Sequence, residues 1–197
     1  MRTFSGKKVL ITGADGFIGK NLVLALNELG DIEILKFVRG DTYRLLERLL
    51  SNADVLIHLA GENRPESPEM FDIVNIGLSE KLAEILCISG SKIPIIFTSS
   101  IQASANNDYG RSKLGAEKVL ERLCKENGNP IHIFRLPGVF GKGCKPYYNS
   151  VVATFCHNVA THKKLRIDNP DHKIDLVYID DVIKNYYKLE KAILGDM

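Results

Sequence analysis

The chain has 197 residues, a formal net charge of +2 and a hydrophobic share of 45%. This length suffices for one domain with a substantial core, and the composition is ordinary for a globular protein. A nucleic-acid-binding protein is not favoured, because such proteins carry a clustered basic face. The largest basic group, Lys163, Lys164 and Arg166, is small and is interpreted as a solvated strand edge.

The cysteines and histidines do not have the spacing of a disulfide framework or a metal site. No cysteine pair forms a CxxC motif, and reduced thiols in a cytoplasmic protein are expected. No metal site is expected either. Residues 1–16 lack the apolar block of a signal peptide, and no segment reaches the length of a membrane span. The cysteines and histidines without such spacing are Cys87, Cys124, Cys144, Cys156, His157, His162 and His172.

Apolar runs alternate with helical patterns along the first two thirds of the chain. The runs predict strands at 7–12, 32–38, 54–61, 92–100 and 131–136. The helical patterns cover 17–29, 42–50, 68–89 and 109–126. This alternation indicates an α/β fold, a Rossmann-type doubly wound parallel sheet with helices on both faces. Ligands of such sheets bind at the carboxyl ends of the strands, so the residues that follow each run are the functional candidates.

The alternation weakens after residue 136. A glycine- and lysine-bearing loop at 138–150 overlaps the start of a helical pattern at 149–162, and a polar turn at 168–173 precedes a strand at 174–179. A last helix is predicted from Asp180, and Asp180 and Asp181 are interpreted as stabilising its N-terminus.

The stretch TGADGFIG at 12–19 follows the first strand and opens the first helix. A helix N-terminus presents free N–H groups and the positive end of the helix dipole, which suits a pyrophosphate. In this context Gly13 allows a tight turn, Gly16 allows close approach of the phosphates, and Gly19 allows close packing of helix on strand. The stretch therefore predicts a nucleotide-binding turn.

The second predicted strand ends in FVRGD, where the residue that reads the adenosine ribose is expected. Arg39 would meet the 2′-phosphate of NADP, whereas an acidic residue would bind the 2′-hydroxyl of NAD. We favour Arg39 and NADP. Asp41 with NAD is the alternative, and a plain surface role for Arg39 also stays open.

Tyr109 and Lys113, in YGRSK, are four residues apart and share one face of a helix. An ammonium group near a phenol favours the phenolate, so Lys113 is expected to lower the pKa of Tyr109. Such a tyrosine can exchange a proton with a substrate oxygen near neutral pH. FTSSIQAS ends the fourth strand shortly before, and a serine there can orient that oxygen. Ser100 is preferred for this role, with Ser99 as the alternative.

In this order, the glycine turn, the strand-end serine and the YxxxK pair resemble the short-chain dehydrogenase/reductase superfamily. HLAG at 58–61 and Asn75 match further positions of that superfamily. RLPGVFG (135–141) and VYIDDV (177–182) look like markers of its extended branch, the NAD-dependent epimerase/dehydratase family, which handles nucleotide sugars. HLAGENRPE, SSIQASANNDYGRSKLGAE and FGKGCKPYYNSVVATFCHNVA are similar to the reductase domain of bifunctional bacterial enzymes that make UDP-2-acetamido-2,6-dideoxy-L-talose, on the route to UDP-N-acetyl-L-fucosamine for capsule and O-antigen.

The resemblance implies transfer of hydride from NADPH to the C4 keto group of a UDP-linked 4-keto-6-deoxy-N-acetylhexosamine. Tyr109 would protonate the forming alkoxide, Lys113 would hold the nicotinamide ribose, and Ser100 would orient the carbonyl. The cofactor contacts it implies are Gly13, Asp15, Gly16, Phe17, Ile18, Gly19, Arg39, Leu59, Ala60, Gly61, Asn75, Tyr109, Lys113 and Leu136. The candidate substrate contacts are Arg64, Lys142, Asn149 and Ser150.

Structural roles are open for several of these residues. Ser150 is as well placed to cap the following helix as to touch a substrate. Arg64 lies in a loop, where an arginine is commonly just solvated. His58 lies within an apolar strand and is interpreted as a packed histidine rather than as a base.

The chain departs from the family pattern at two points. Gly138 stands where asparagine is common, and Met197 comes where the relatives continue into more reductase sequence and a metal-binding cupin domain. We expect a single NAD(P)-binding Rossmann domain over 1–197, with no cupin domain. Its cofactor core would span about 1–136, and a small partial substrate lobe would span about 137–197.

Two other functions are consistent with these features. One is a UDP-sugar epimerase or dehydratase with tightly held NAD, and the other is a non-catalytic NAD(P)-binding protein or fragment. The expected partner is a UDP-sugar, with neither nucleic acid nor membrane. The apolar stripes at 68–89 and 109–126 would suit a homodimer formed through a four-helix bundle, although a role within the core accounts for them equally.

Overall fold

The structure, a computed structural model, describes residues 4–194, with the backbone alone for 189–194. Five parallel strands form the central sheet: β1 (Lys7–Thr12), β2 (Ile32–Phe37), β3 (Val55–His58), β4 (Ile95–Ser100) and β5 (Ile131–Leu136). Their order in the sheet is β2-β1-β3-β4-β5. This confirms the predicted doubly wound α/β sheet. The chain reverses its direction of strand addition at β1, and ligands bind at such a switch point.

Helices connect the strands on both faces of the sheet. They are α1 (Phe17–Leu29), α2 (Tyr43–Leu50), α3 (Glu69–Phe71), α4 (Gly77–Ser89) and α5 (Asp108–Asn127). A π-helical segment, Asp72–Ile76, joins α3 to α4, and a 3-10 turn, Ile101–Ser104, follows β4. The single helical pattern predicted at 68–89 is therefore present, with a wider turn inside it.

The strands read as continuous apolar runs because both faces of the sheet are covered. Leu10 contacts the cluster formed with α2, α4 and α5, while Val9 and Ile11 contact the cluster that includes α1. Successive side chains of a strand point to opposite faces, so β1 contributes to both clusters. The sheet is thereby held rigidly beneath its carboxyl edge.

Two strands, β3 and β4, are shorter than predicted because the chain leaves the hydrogen-bonded sheet earlier or joins it later. β3 stops at His58, because the next residues turn towards β1. β4 begins at Ile95 rather than at residue 92, since Pro94 has no N–H to donate. These boundaries place the polar residues that follow each strand at one edge of the sheet.

The C-terminal part carries a second, smaller sheet. β6 (Gly138–Phe140) pairs in parallel with β7 (Leu176–Tyr178), and α6 (Val151–Ala160) and α7 (Ile179–Leu194) complete the described chain. The sequence places 138–150 entirely in a loop, which is wrong for β6. A strand of only three residues that pairs with a distant segment produces no local sequence pattern that could predict it. The predicted strand edge at 163–166 is also wrong, because those residues are irregular and exposed.

Within residues 4–194, no helix combines the length and apolar character needed to span a membrane. The same part of the chain holds no cluster of three His, Cys, Asp or Glu side chains suited to a metal ion. The four cysteines are free thiols, and three of them are exposed.

We expect Gly19→Ala to destabilise the fold by about 3 kcal/mol, because overpacking a tight contact costs about 1–3 kcal/mol or more. A Cβ at residue 19 would lie 2.2 Å from the Gly13 carbonyl oxygen. Gly77→Ala is the matched control, since its nearest neighbour would be 3.9 Å away and alanine favours a helix. Urea denaturation midpoints measure both. Equal effects of the two substitutions would contradict the close packing.

Candidate functional site

A cleft of about 690 Å³ opens at the carboxyl edge of the sheet. It is lined by the turn after β1, the turn after β3, the end of β4, the first turns of α5, the segment after β5, and residues 172–175. This volume is typical of small-molecule sites. Chain segments far apart in sequence therefore meet around one cavity at the switch point of the sheet.

The turn after β1 has the geometry predicted for TGADGFIG. Gly13 has a φ of +70°, and a Cβ there would lie 2.8 Å from the backbone nitrogen of Ala60. Gly16 is the N-cap of α1 and brings no side chain to the first turn, whose N–H groups have no partner within the helix. Phe17 and Ile18 line the cleft at this point. The arrangement can hold a phosphate against the helix N-terminus.

His58, at the end of β3, is buried and hydrogen-bonded at both ring nitrogens. Nδ1 lies 2.7 Å from Thr12 Oγ1, and Nε2 lies 3.2 Å from Ser79 Oγ. Burial, together with the nearby charge of Lys113, lowers the pKa of His58 to about 3. The ring is therefore neutral and packed, which confirms the structural interpretation of this histidine.

Asn75 holds the turn after β3 in place from behind. Its Oδ1 accepts from the Glu62 N–H at 2.7 Å, and its Nδ2 donates to the Glu62 carbonyl at 3.0 Å and to Ser112 Oγ at 2.8 Å. It lies in the π-helical segment, and its side chain is buried. Asn75 thus supports the cleft without being part of its lining.

The two serines at the end of β4 have different partners. Ser99 donates to the carboxylate of Glu117, which also accepts from Arg135 Nε at 2.9 Å. Ser100 lies on the cleft, where its hydroxyl accepts from the Gln102 N–H at 3.2 Å and acts to lower the pKa of Tyr109. The geometry therefore favours Ser100 over Ser99 as the serine beside the tyrosine.

Tyr109 lines the cleft at the start of α5 and packs on Phe71, with ring centroids 5.7 Å apart. Burial raises the pKa of Tyr109, and the hydrogen bond with Ser100 offsets only part of that rise. The sequence predicts the opposite direction, so this expectation is wrong for the structure. The reason is that the phenol is largely buried, while the Lys113 ammonium bonds to the Thr98 carbonyl instead.

Lys113 lies one turn further along α5 and is almost fully buried. Its Nζ donates to the Thr98 carbonyl at 2.8 Å and lies 4.3 Å from the centre of the Phe97 ring. Burial lowers the pKa of Lys113 to about 8, although the charge of Glu117 acts to raise it. The ammonium group therefore hydrogen-bonds to the backbone near the end of β4 rather than to the Tyr109 hydroxyl.

Arg39 forms an ion pair with Glu62 at 2.6 Å across the end of β1. Asp41, the alternative reader of the ribose, accepts from the Val38 N–H at 2.8 Å and so closes its own turn. Arg39 keeps most of its side chain in solvent, so it stays the better candidate. Glu62 was missed from the sequence, although its place directly after HLAG is a signal that could have found it.

Of the four predicted substrate contacts, Asn149 lines the cleft, whereas Arg64, Lys142 and Ser150 do not. Arg64 donates to the Tyr147 carbonyl at 3.3 Å and lies 5.2 Å from the centre of the Tyr148 ring. Arg64 is thus a partner of the loop before α6 rather than a merely solvated side chain.

The other two predicted substrate contacts have structural partners. Ser150 is buried, and its Oγ accepts from the Ala153 N–H at 3.2 Å, which caps α6. Lys142 Nζ lies 3.8 Å from Asp180, and its carbonyl accepts from Asn21. Neither Ser150 nor Lys142 lines the cleft.

The remaining predicted cofactor contacts are split between the cleft and its surroundings. Gly19, Leu59, Gly61 and Leu136 line the cleft. Asp15 is exposed at the side of the glycine turn, and Ala60 lies behind Gly13.

Residues 172–175 also line the cleft and were missed from the sequence. They were predicted only as part of a polar turn and the start of a strand. The pairing of β6 with β7 brings them there, and a pairing between distant segments has no local signal in the sequence.

Comparison with known proteins agrees with this geometry. The model of the NAD dependent epimerase/dehydratase family matches residues 9–192. The chain is 48% identical over 189 residues to UDP-2-acetamido-2,6-beta-L-arabino-hexul-4-ose reductase of Pseudomonas aeruginosa, in a match that covers 96% of this chain and 51% of that protein.

Solved structures show the same relationship. The crystal structure of capsular polysaccharide assembling protein CapF from Staphylococcus aureus is similar at a TM-score of 0.79 and 36% identity, over 95% of this chain and 49% of that one. An epimerase of Methanothermobacter thermautotrophicus has a TM-score of 0.84 at 23% identity, over 95% and 68% of the two chains, and shows the shared fold alone. The chain spans about half the length of the first two relatives.

We expect the stability of the protein to fall in mild acid because of His58. The unfolded histidine takes up a proton near its ordinary pKa of 6.5, whereas the folded one does so only near 3. The unfolded state thus binds more protons between these values, and stability is lost as pH falls through 6.5 towards 3. From about pH 7 to about pH 5 this group should remove about 2 kcal/mol. Urea unfolding of the wild type and His58→Gln at both pH values tests this. An equal pH dependence in the two proteins would refute the neutral, buried histidine.

Proposed function

The chain belongs to the NAD dependent epimerase/dehydratase family, and from this premise we propose that it reduces the C4 keto group of a UDP-linked 4-keto-6-deoxy-N-acetylhexosamine with NADPH. The observation that carries the proposal is that Ser100, Tyr109 and buried Lys113 line the same cleft. The Pseudomonas aeruginosa relative, whose name describes a hexul-4-ose reductase, supports this choice of substrate.

The residues present fit a nicotinamide coenzyme. The tight turn at Gly13 leaves no room for a Cβ, and the first turn of α1 offers N–H groups for a pyrophosphate. The turn after β3 closes the other side, held by Asn75. Bound in this cleft, the reduced nicotinamide supplies the hydride for the carbonyl carbon.

In the proposed reaction Tyr109 donates its proton to the carbonyl oxygen as that oxygen gains negative charge. The raised pKa of Tyr109, caused by burial, keeps the phenol protonated at neutral pH and so ready to act as an acid. Ser100 holds the same oxygen and orients it for the transfer. Lys113, with its pKa lowered by burial to about 8, is still mostly charged at neutral pH and is proposed to hold the nicotinamide ribose.

The sugar nucleotide is proposed to enter between the turn after β3 and the segment before α6. Arg64 and Asn149 lie on these two sides and are the proposed substrate contacts. His172 and Lys173 line the same cleft and add positive or hydrogen-bonding groups suited to a diphosphate. Lys142 and Ser150 would have to leave their present partners to take part.

A cytoplasmic homodimer is proposed for this function. Sugar nucleotides and reduced coenzyme are cytoplasmic metabolites, and Ile73 and Ile88, in the helical stretch at 68–89, are exposed apolar side chains that a partner could cover. Light scattering on the purified protein measures the oligomeric state.

NADPH is expected to bind more tightly than NADH, because Arg39 lies where a 2′-phosphate would be. Separate fluorescence titrations of the purified chain with the two reduced coenzymes test this preference. A preference for NADH would instead favour an epimerase or dehydratase with bound NAD. Binding of neither would contradict the reading of the glycine turn.

Tyr109→Phe is expected to lower kcat by about 100-fold or more while leaving the Kd for NADPH nearly unchanged, because only the proton donor is lost. Consumption of reduced coenzyme with a 4-keto UDP-sugar measures kcat. Tyr43→Phe removes a hydroxyl from an exposed tyrosine of α2 and serves as the control. Full activity of the Tyr109 variant would rule out the assigned role.

A further inference from the structure

Glu62 holds an unusual position for a carboxylate. Only 11% of its side chain is exposed, and it lines the cleft directly after the HLAG turn. Oε1 accepts from the N–H groups of Asn63 at 2.9 Å and Arg64 at 3.0 Å, and Oε2 accepts from Arg39 at 2.6 Å. Every contact fixes this side chain in one orientation.

The main chain of Glu62 is equally constrained. Asn75 bonds to both its N–H and its carbonyl group, so residue 62 cannot shift without breaking a buried side-chain contact. Partial burial acts to raise the pKa of Glu62, but the N–H groups of Arg64 and Asn63 and the guanidinium of Arg39 outweigh it, and the pKa is lowered. A fixed negative charge therefore faces the cleft.

The side chain of Arg39 is far more exposed to solvent than that of Glu62. The Arg39 side chain is 85% exposed, and it reaches Glu62 from the far side of β1. The strands β2 and β3 flank β1, so the pair spans the end of β1 beside the glycine turn. In doubly wound sheets the adenosine ribose extends from that turn towards the end of β2, which puts its 2′ group near Arg39.

We propose that Glu62 sets the coenzyme preference of this chain, because its carboxylate competes with the 2′-phosphate of NADPH for the guanidinium of Arg39. NADH brings no phosphate and meets a carboxylate that can accept a hydrogen bond from its 2′-hydroxyl. Glu62 thus weakens the preference for NADPH that Arg39 alone would give. The inference rests on the proposed binding of a nicotinamide coenzyme in the cleft.

The physical basis is that two anions compete for the one guanidinium of Arg39. A 2′-phosphate that binds Arg39 must approach a carboxylate held by two backbone N–H groups, which cannot swing away without losing them. Arg39 can make a bidentate pair with only one carboxylate or phosphate at a time. The carboxylate of Glu62 and the 2′-phosphate therefore share the hydrogen bonds that either anion alone would receive. Removal of the carboxylate charge leaves the guanidinium to the phosphate.

The test is a set of Kd measurements for NADPH and NADH, by fluorescence titration of the full chain and its variants. Glu62→Gln keeps the shape and the Oε1 acceptor but removes the charge. It should tighten NADPH binding by about ten-fold and change NADH binding by about two-fold or less, as expected for loss of one close charge. Glu66→Gln removes the same charge from an exposed position of the same loop and should change neither Kd.

Arg39→Gln completes the comparison. It should weaken NADPH binding, and in its background Glu62→Gln should lose most of its effect, since the competition acts through the guanidinium. Unchanged or weaker NADPH binding in Glu62→Gln would overturn the inference, as would an equal gain for NADH. In those cases coenzyme binding itself is intact, so the proposed function stands. Failure of the wild type to bind either coenzyme would overturn both.

Discussion

The contact between the backbones of Gly13 and Ala60 is the constraint on which the cleft depends. The two turns can meet because residue 13 carries no side chain, and a Cβ there would lie 2.8 Å from the Ala60 nitrogen. The contact brings the turn after β3 against the turn that opens α1. Thr12 and His58, directly behind it, are hydrogen-bonded to each other, so the polar groups beneath the site are satisfied within the protein.

Much of this arrangement could be predicted from the sequence because it is local. The glycine turn, the YxxxK spacing and the alternation of strands and helices are patterns of neighbouring residues, and the structure places each of them where expected. The sequence favours Ser100 over Ser99, but the contacts that separate the two serines are tertiary. They depend on Glu117, which is paired with Arg135 on another strand and takes the Ser99 hydroxyl for that network.

Electrostatic properties were the least predictable part of the site. The expected effect of Lys113 on Tyr109 assumed that the ammonium faces the phenol, but a buried ammonium needs a close acceptor and finds it in the Thr98 carbonyl. The role of Glu62 was likewise hidden, since its environment is created by Arg39, Asn75 and two backbone N–H groups from separate segments. Burial and partner choice are tertiary properties, so residue spacing alone gives neither.

The two walls of the cleft differ in local stability. The wall beside the glycine turn belongs to a sheet covered on both faces, whereas the opposite wall depends on three residues of β6, three of β7 and the exposed segment at 172–175. A short ladder with few buried neighbours opens more easily than a core strand. The coenzyme side can therefore keep its shape while the opposite wall opens, closes or accumulates substitutions. In a scaffold of this kind, the shape of one wall can change without redesign of the glycine turn opposite it.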